Sequence, residues 1–291
     1  MRRKFTTAVL ATLLVLTATL SQVHADVPPA TPILGAYQHQ RAQKRFKALA
    51  PAEATRFRNL LSGAKSMEEK RYLEKAFAVG HPLRDLEDFG TLIRGRDRTW
   101  LRDNLRLSNN SRGTGIQQLW NDACGPTTAL AALGELDPLF AVRYRKSKQA
   151  ALQKTLLERP YTNGNKGGVA MPRGQKGGGR WIEDILTAEK KKTGIAYEIR
   201  RLDESYNMNR ALGELDAALN WGVPVPVVAK SNSGSHYCLV LSYRKANDQK
   251  LYTIHDPWTG CSVVRTDANF RQGRLDLAGN NVLDAFSMPM W

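Results

Sequence analysis

The periodicity of apolar residues changes once along this chain, and that change limits the fold more than any other feature. From residue 37 to about 107 the apolar positions recur at helical spacing, with breaks at Pro51, Gly63, Gly80-His81-Pro82 and Gly95. In the C-terminal third, short runs rich in β-branched and aromatic residues take over, at 223–229, 237–243, 251–255 and 261–264. Turn-forming stretches at 231–234, 245–249 and 257–260 separate them. Helices first and an antiparallel sheet afterwards define an α+β class.

Local signals sharpen the helical part. Pro51 sits near the start of a helix with Glu53 in its first turn, where a proline and an acid are both favoured. Ser66 followed by Glu69 reads as a capping box, and Tyr72, Leu73, Ala76 and Phe77 then fall on one face. These predict a small helical subdomain behind a proline-rich tether at 26–34. Further helices are expected at 181–189 and 209–221.

The first residues read as an address. Arg2, Arg3 and Lys4 precede an apolar run at 8–20, and Val23-His24-Ala25 offers small residues at signal-peptidase positions. Cleavage near Ala25 is expected, leaving a secreted or periplasmic protein. The run is shorter than the roughly 20 residues a membrane span needs, and no later segment is long and apolar enough. The expected organisation is a signal peptide at 1–25, a tether and helical extension at 26–110, and a catalytic domain at 111–291. The formal charge of +16 falls to about +13 without the signal. Such a balance suits anionic surroundings such as cell-wall polymer, lipid headgroups or nucleic acid. Basic clusters at 41–47, 143–148 and 190–192 have no zinc-finger spacing or aromatic RNA-binding signature. A solvated basic surface able to meet an anionic cell-wall polymer is therefore expected, and specific nucleic-acid binding is not.

Three cysteines leave at least one thiol unpaired in an exported chain. If Cys238 and Cys261 flank Asp256 from opposite sides of a meander, they sit two strand spacings apart, roughly 9–10 Å. A disulfide needs about 4.4–6.8 Å between alpha carbons, which argues against that bridge. Cys124 opens the run Cys-Gly-Pro-Thr, with proline in the first helical turn and Ala129, Leu130 and Leu133 continuing an apolar face. A helix N-terminus lowers a thiol's pKa, and a nearby imidazolium lowers it further.

The imidazole must come from one of five histidines. His24 leaves with the signal, while His39 and His81 belong to the helical extension. His236 opens a strand, and Asp256 ends the next one, where hairpin geometry brings it near enough to orient the ring. His255 has the opposite parity and is expected on the other face. Each residue alone reads blandly, as a small buried hydrophobe, core strand or turn chemistry. Their joint order, Cys, His, Asp with a glutamine upstream, points to thiol catalysis. The glycine-rich stretch 164–179 lacks the strand-then-helix context of a phosphate cradle and is expected to be a mobile basic loop beside the site. No metal-ligand spacing is legible, and no cofactor is expected.

These residues carry a family resemblance. Gln118 lies six positions before Cys124, Cys-Gly-Pro-Thr opens a helix, His236 precedes Tyr-Cys-Leu-Val-Leu, and Asp256 stands in Asp-Pro-Trp-Thr-Gly. From about residue 116 to 264 the pattern resembles the papain-like cysteine peptidases. The nearest branch is bacterial and similar to the double-glycine leader peptidases (peptidase C39-like). The resemblance implies a papain-like fold, with a nucleophile helix, a C-terminal antiparallel sheet and an extra helical extension. It implies an exported cysteine peptidase or amidase acting on a peptide or protein, with a toxin or effector role within its range. It also implies Gln118 as oxyanion donor beside the Cys124 backbone amide, with Gln117 in reserve if the register slips by one. From its position, Trp258 is expected to cover the His–Asp hydrogen bond. Leader peptidases are normally fused to membrane transporters, and none is legible here, so their substrate preference does not transfer. The same residue order occurs in phytochelatin-synthase-like and transglutaminase-like acyl transferases. A third alternative is an inactive papain-like scaffold that binds through its basic surface.

Overall fold

The structure, a computed structural model, describes residues 32–290 apart from 111, 159–181, 183–184, 187–189, 232–233, 278 and 280–281. The expected signal peptide, the glycine-rich loop at 164–179 and most of the helix expected at 181–189 lie outside the described residues.

Five helices come first: α1 (Ala36–Lys47), α2 (Pro51–Ser62), α3 (Met67–Val79), α4 (Leu83–Ile93) and α5 (Arg98–Leu105). The Ser66 hydroxyl caps α3 by accepting from the Glu69 backbone N–H at 3.1 Å. The return half of the expected capping box differs. Glu69 accepts instead from the N–H groups of Lys65 and Gly95, so its carboxylate ties the start of α3 to the turn after α4. Tyr72, Leu73, Ala76 and Phe77 are buried together, as their spacing predicts, in a cluster with Phe57, Leu86 and Ile93. Phe57 stacks on Phe77 with ring centroids 4.0 Å apart.

These helices are docked onto the rest of the chain. Their apolar cluster takes in Leu139 and, at its edge, Val142, both on α7 (Pro138–Lys146). Within the N-terminal helices, part of the first basic cluster fastens α1 to the end of α3: Arg41 donates to the Ala78 carbonyl at 3.1 Å and Arg45 to the His81 carbonyl at 2.8 Å. Both guanidiniums thereby satisfy carbonyl oxygens around the end of α3, which the helix itself leaves without partners.

At the centre lies α6 (Cys124–Leu136), in which every residue is buried. A helix that is apolar all round belongs inside a core, and α6 lies between α7, α8 (Gln149–Glu158) and the sheet. After α9 (Lys190–Thr193), six antiparallel strands make that sheet. They are β1 (Ala196–Arg201), β2 (Val225–Ser231), β3 (Gly234–Ala246), β4 (Gln249–Asp256), β5 (Cys261–Thr266) and β6 (Val282–Met290), in spatial order β1-β6-β2-β3-β4-β5. Helix α10 (Met208–Asn220) precedes β2, and α11 (Asp267–Arg271) follows β5. Strand alternation divides β3 between two layers. Tyr237, Leu239 and Leu241 join Leu130 and Leu133 of α6, while Cys238 and Val240 join Tyr252, Phe270 and Phe286.

The fold is α+β, with a cysteine-bearing helix packed against an antiparallel sheet. Two strands go beyond the sequence reading. β6 carries Asp284 and Pro289, which argue against a strand in isolation, yet it lies inside the sheet between β1 and β2. Its acid is satisfied laterally, by Arg201 on β1 at 2.7 Å and Lys230 on β2 at 2.6 Å. Pro289 pairs only with Tyr197 of β1, past the end of the β2 ladder.

Candidate active site

The loop before α6 and the turn after β4 are stitched together, and this brings the expected residues within reach of one another. Gly115 N–H donates to Gly260 O at 2.6 Å, Gln118 N–H to Pro257 O at 2.7 Å, and Ser262 N–H to Gly113 O at 2.8 Å. Two glycines permit this closeness. A Cβ on Gly115 would lie 2.3 Å from the Ser108 carbonyl oxygen, and Gly260 turns at φ +71° with Gln117 against it. The chain then enters α6 through Asp122, which adopts the left-handed region at φ 55°. Aspartate tolerates that region better than most residues.

Cys124 therefore begins α6, as its sequence context predicts. One turn on, the Thr128 hydroxyl donates to the Tyr237 carbonyl at 3.3 Å and pins the start of the helix beside β3. The neighbouring residue on β3 is His236, and the Cys124 side chain is near enough to raise the pKa of its imidazole. On its other side, His236 Nε2 donates to Asp256 Oδ1 at 2.7 Å. The three residues are 9%, 5% and 3% exposed.

Asp256 is held from several directions. The Trp258 N–H donates to its Oδ1 at 2.8 Å. Burial alone would raise the Asp256 carboxyl, but the hydrogen bond and charge of His236 outweigh it and hold the group below the ordinary carboxylate range. For His236, burial works against the charged ring. The pairing with Cys238, Asp256 and Cys124 overcomes it and holds the imidazole well above its usual range.

His255 has the other parity and a different environment. It is fully buried, pairs across the ladder with Leu239, and burial lowers its pKa to about 4. A ring so held is neutral and set in the core.

The two glutamines separate cleanly. Gln118 is 1% exposed, and its Nε2 donates to the Trp120 carbonyl at 3.1 Å, which leaves its second N–H for another acceptor. Gln117 points outward and donates to the Trp258 carbonyl at 2.9 Å. The inward position belongs to Gln118.

All three cysteines are free. Leu239 pairs with His255 and Asp256 with Cys261, which puts Cys238 and Cys261 on opposite sides of Asp256. Cys238 was not among the expected site residues, yet its sulfur lies within 4.8 Å of a His236 ring nitrogen and an Asp256 carboxylate oxygen, and burial pushes its thiol up to about 11. The available signal was His-x-Cys on one strand with an aspartate one strand away. Alternation puts the first two on one face, and the ladder register supplies the third.

The model of the Peptidase_C39 like family matches residues 113–274, more than half of the 291-residue chain. The chain belongs to the Peptidase_C39 like family. The matched region contains Gln118, Cys124, His236 and Asp256 and begins after the five N-terminal helices. No curated protein matches the chain. Among solved structures, it is similar to digestive procathepsin L 3 of Tenebrio molitor larval midgut. The two are 13% identical with a TM-score of 0.33, over 87% of this chain and 98% of that one. Membership in a C39-like family is consistent with a cysteine-peptidase type of function.

Proposed function

We propose that this C39-like chain is a thiol peptidase or amidase that hydrolyses a peptide or amide bond. Cys124 serves as nucleophile, His236 as its acid and base, Asp256 as the group that orients the ring, and Gln118 as oxyanion donor. The observation that carries this reading is the buried hydrogen bond from His236 Nε2 to Asp256 Oδ1 at 2.7 Å, beside Cys124 at the N-terminus of a buried helix and near enough to raise the imidazole pKa.

The chemistry follows from that order. The Cys124 thiolate adds to the carbonyl carbon, and the oxyanion is met by the free N–H of Gln118 and the Cys124 backbone N–H. His236 gives its proton to the leaving nitrogen as the C–N bond breaks, which leaves a thioester on Cys124. It then takes a proton from water, which releases the acid and restores the thiol. Asp256 stays ionised throughout and keeps the ring in the required tautomer.

The test is alkylation of the purified protein by iodoacetamide at neutral pH, with mass spectrometry locating the label, beside turnover of a peptide-amide library. Selective labelling of Cys124 that is lost in His236→Ala, with turnover lost in Cys124→Ala, is the expected result. Full turnover in Cys124→Ala overturns the assignment. Export through residues 1–25 and contact of the basic surface with an anionic wall polymer remain part of the same proposal. They rest on the sequence alone, and N-terminal sequencing of secreted material checks the first.

A further inference from the structure

The proposed hydrolysis leaves one sulfur at the site without a role. Cys238 lies two residues beyond His236 on β3, hence on the same side of the strand. The ladder register places Asp256 opposite it, because Leu239 already pairs with His255. A ring nitrogen of His236, the Cys238 sulfur and an Asp256 carboxylate oxygen all lie within 4.8 Å of one another, and all three residues are buried.

Packing gives no reason for sulfur at position 238. Its neighbours in the apolar cluster include Val227, Ala229 and Val240, among which valine would fit as well. What distinguishes the thiol is its contact with His236.

A thiol, an imidazole and a carboxylate in one buried place form the donor set of a borderline-soft divalent metal. Zinc binds thiolate at about 2.3 Å, imidazole at about 2.0–2.1 Å and carboxylate oxygen at about 2.0–2.2 Å in a tetrahedron. Hard cations such as magnesium or calcium take oxygen ligands and are poorly served here. A metal bound here would take the place of the proton shared by His236 Nε2 and Asp256 Oδ1, 2.7 Å apart.

We propose that His236, Cys238 and Asp256 form a zinc site that holds the enzyme inactive by coordinating its base. The inhibitory consequence rests on the peptidase reading; the metal site does not.

Cobalt(II) is the probe, because its thiolate charge-transfer absorption in the near ultraviolet reports sulfur ligation directly. The full chain, reduced and metal-free, is expected to show that band at one equivalent of cobalt and to lose it when zinc is added. Cys238→Val and Asp256→Asn each weaken cobalt binding at least about 10-fold. Cys261→Ser, at the exposed thiol, leaves it unchanged. Should Cys238→Val fail to fold, zinc protection of Cys238 from alkylation in the unaltered protein reads the same site. Absence of the band, its persistence in Cys238→Val, or its loss in Cys261→Ser overturns the proposal. Hydrolysis unaffected by zinc, without a cobalt band, removes the metal site and leaves the peptidase standing. A cobalt band in a chain that hydrolyses nothing removes the peptidase reading and leaves the site.

Discussion

The backbone N–H of Gln118 donates to the carbonyl of Pro257 at 2.7 Å, so the segment carrying the inward glutamine is fastened to the turn that carries Asp256. The proposed oxyanion donor and the proposed orienting acid are thereby set by one junction. Removing a single oxyanion donor typically costs about 100-fold in turnover or more. Gln118→Ala is expected to lose activity on that scale while its unfolding midpoint stays near that of the unaltered protein. Gln117→Ala, whose side chain only meets the outer Trp258 carbonyl, is expected to change turnover less than about 3-fold. Comparison of kcat for the two variants on one activated substrate separates them.

The His236–Asp256 pair makes a prediction about pH. His236 is held above its usual range, so its stabilising contribution is fully present below the unfolded imidazole value and is lost as pH rises through the higher folded value. Asp256 is held low, so its contribution is present above the unfolded carboxyl value and is lost as pH falls through the lower folded one. The pair is therefore charged on both sides across neutral pH. Asp256→Asn removes the negative partner and lowers the imidazole pKa. The alkaline limb of the kcat/KM profile is expected to move to lower pH, and an unmoved limb would show that Asp256 does not set it.

The legible parts of this molecule were those written in local chemistry. Proline after Cys124, the opposite parity of His255 and Asp256, and turn residues at 257–260 each have a short-range physical reading, and each describes the structure. The flanking positions of Cys238 and Cys261 follow from the same alternation and register. What lay beyond reach depended on neighbours distant in the chain. Strand β6 keeps Asp284 because Arg201 and Lys230 come to it from two other strands, and no window around residue 284 contains either. Glu69 turns to Gly95 for the same kind of reason. Cys238 was passed over because a cysteine in an apolar strand reads as core until the ladder puts an imidazole beside it.

A second region to test joins the N-terminal helices to α6. Arg106 and Glu135 approach to 3.6 Å with both side chains almost wholly buried, and the Ser108 hydroxyl donates to Glu135 at 2.6 Å. Removing one member of a buried ion pair leaves the other charge uncompensated, at a cost of about 3–5 kcal/mol. Glu135→Ala is expected to lose stability of that order in urea unfolding. Glu135→Gln retains an acceptor for Ser108 and is expected to lose less. Equal losses would mean that the charge on Glu135 contributes nothing.

His255 sets the behaviour of the fold in acid. Burial holds its pKa at about 4, against an ordinary value near 6.5. Between these values the unfolded chain binds a proton at this residue that the folded chain refuses. Stability therefore falls as pH drops through that window and levels off below it. The span corresponds to roughly 3 kcal/mol if the ring alone is counted. His255→Leu keeps the site apolar and removes the proton. The difference in unfolding free energy between the unaltered protein and this variant is expected to be constant above pH 6.5 and to grow steadily towards pH 4. Other titrating groups contribute equally to both proteins and cancel in that difference. A difference that stays flat across the window would mean that the buried ring accepts a proton without cost, and His255 would then be as available a base as His236.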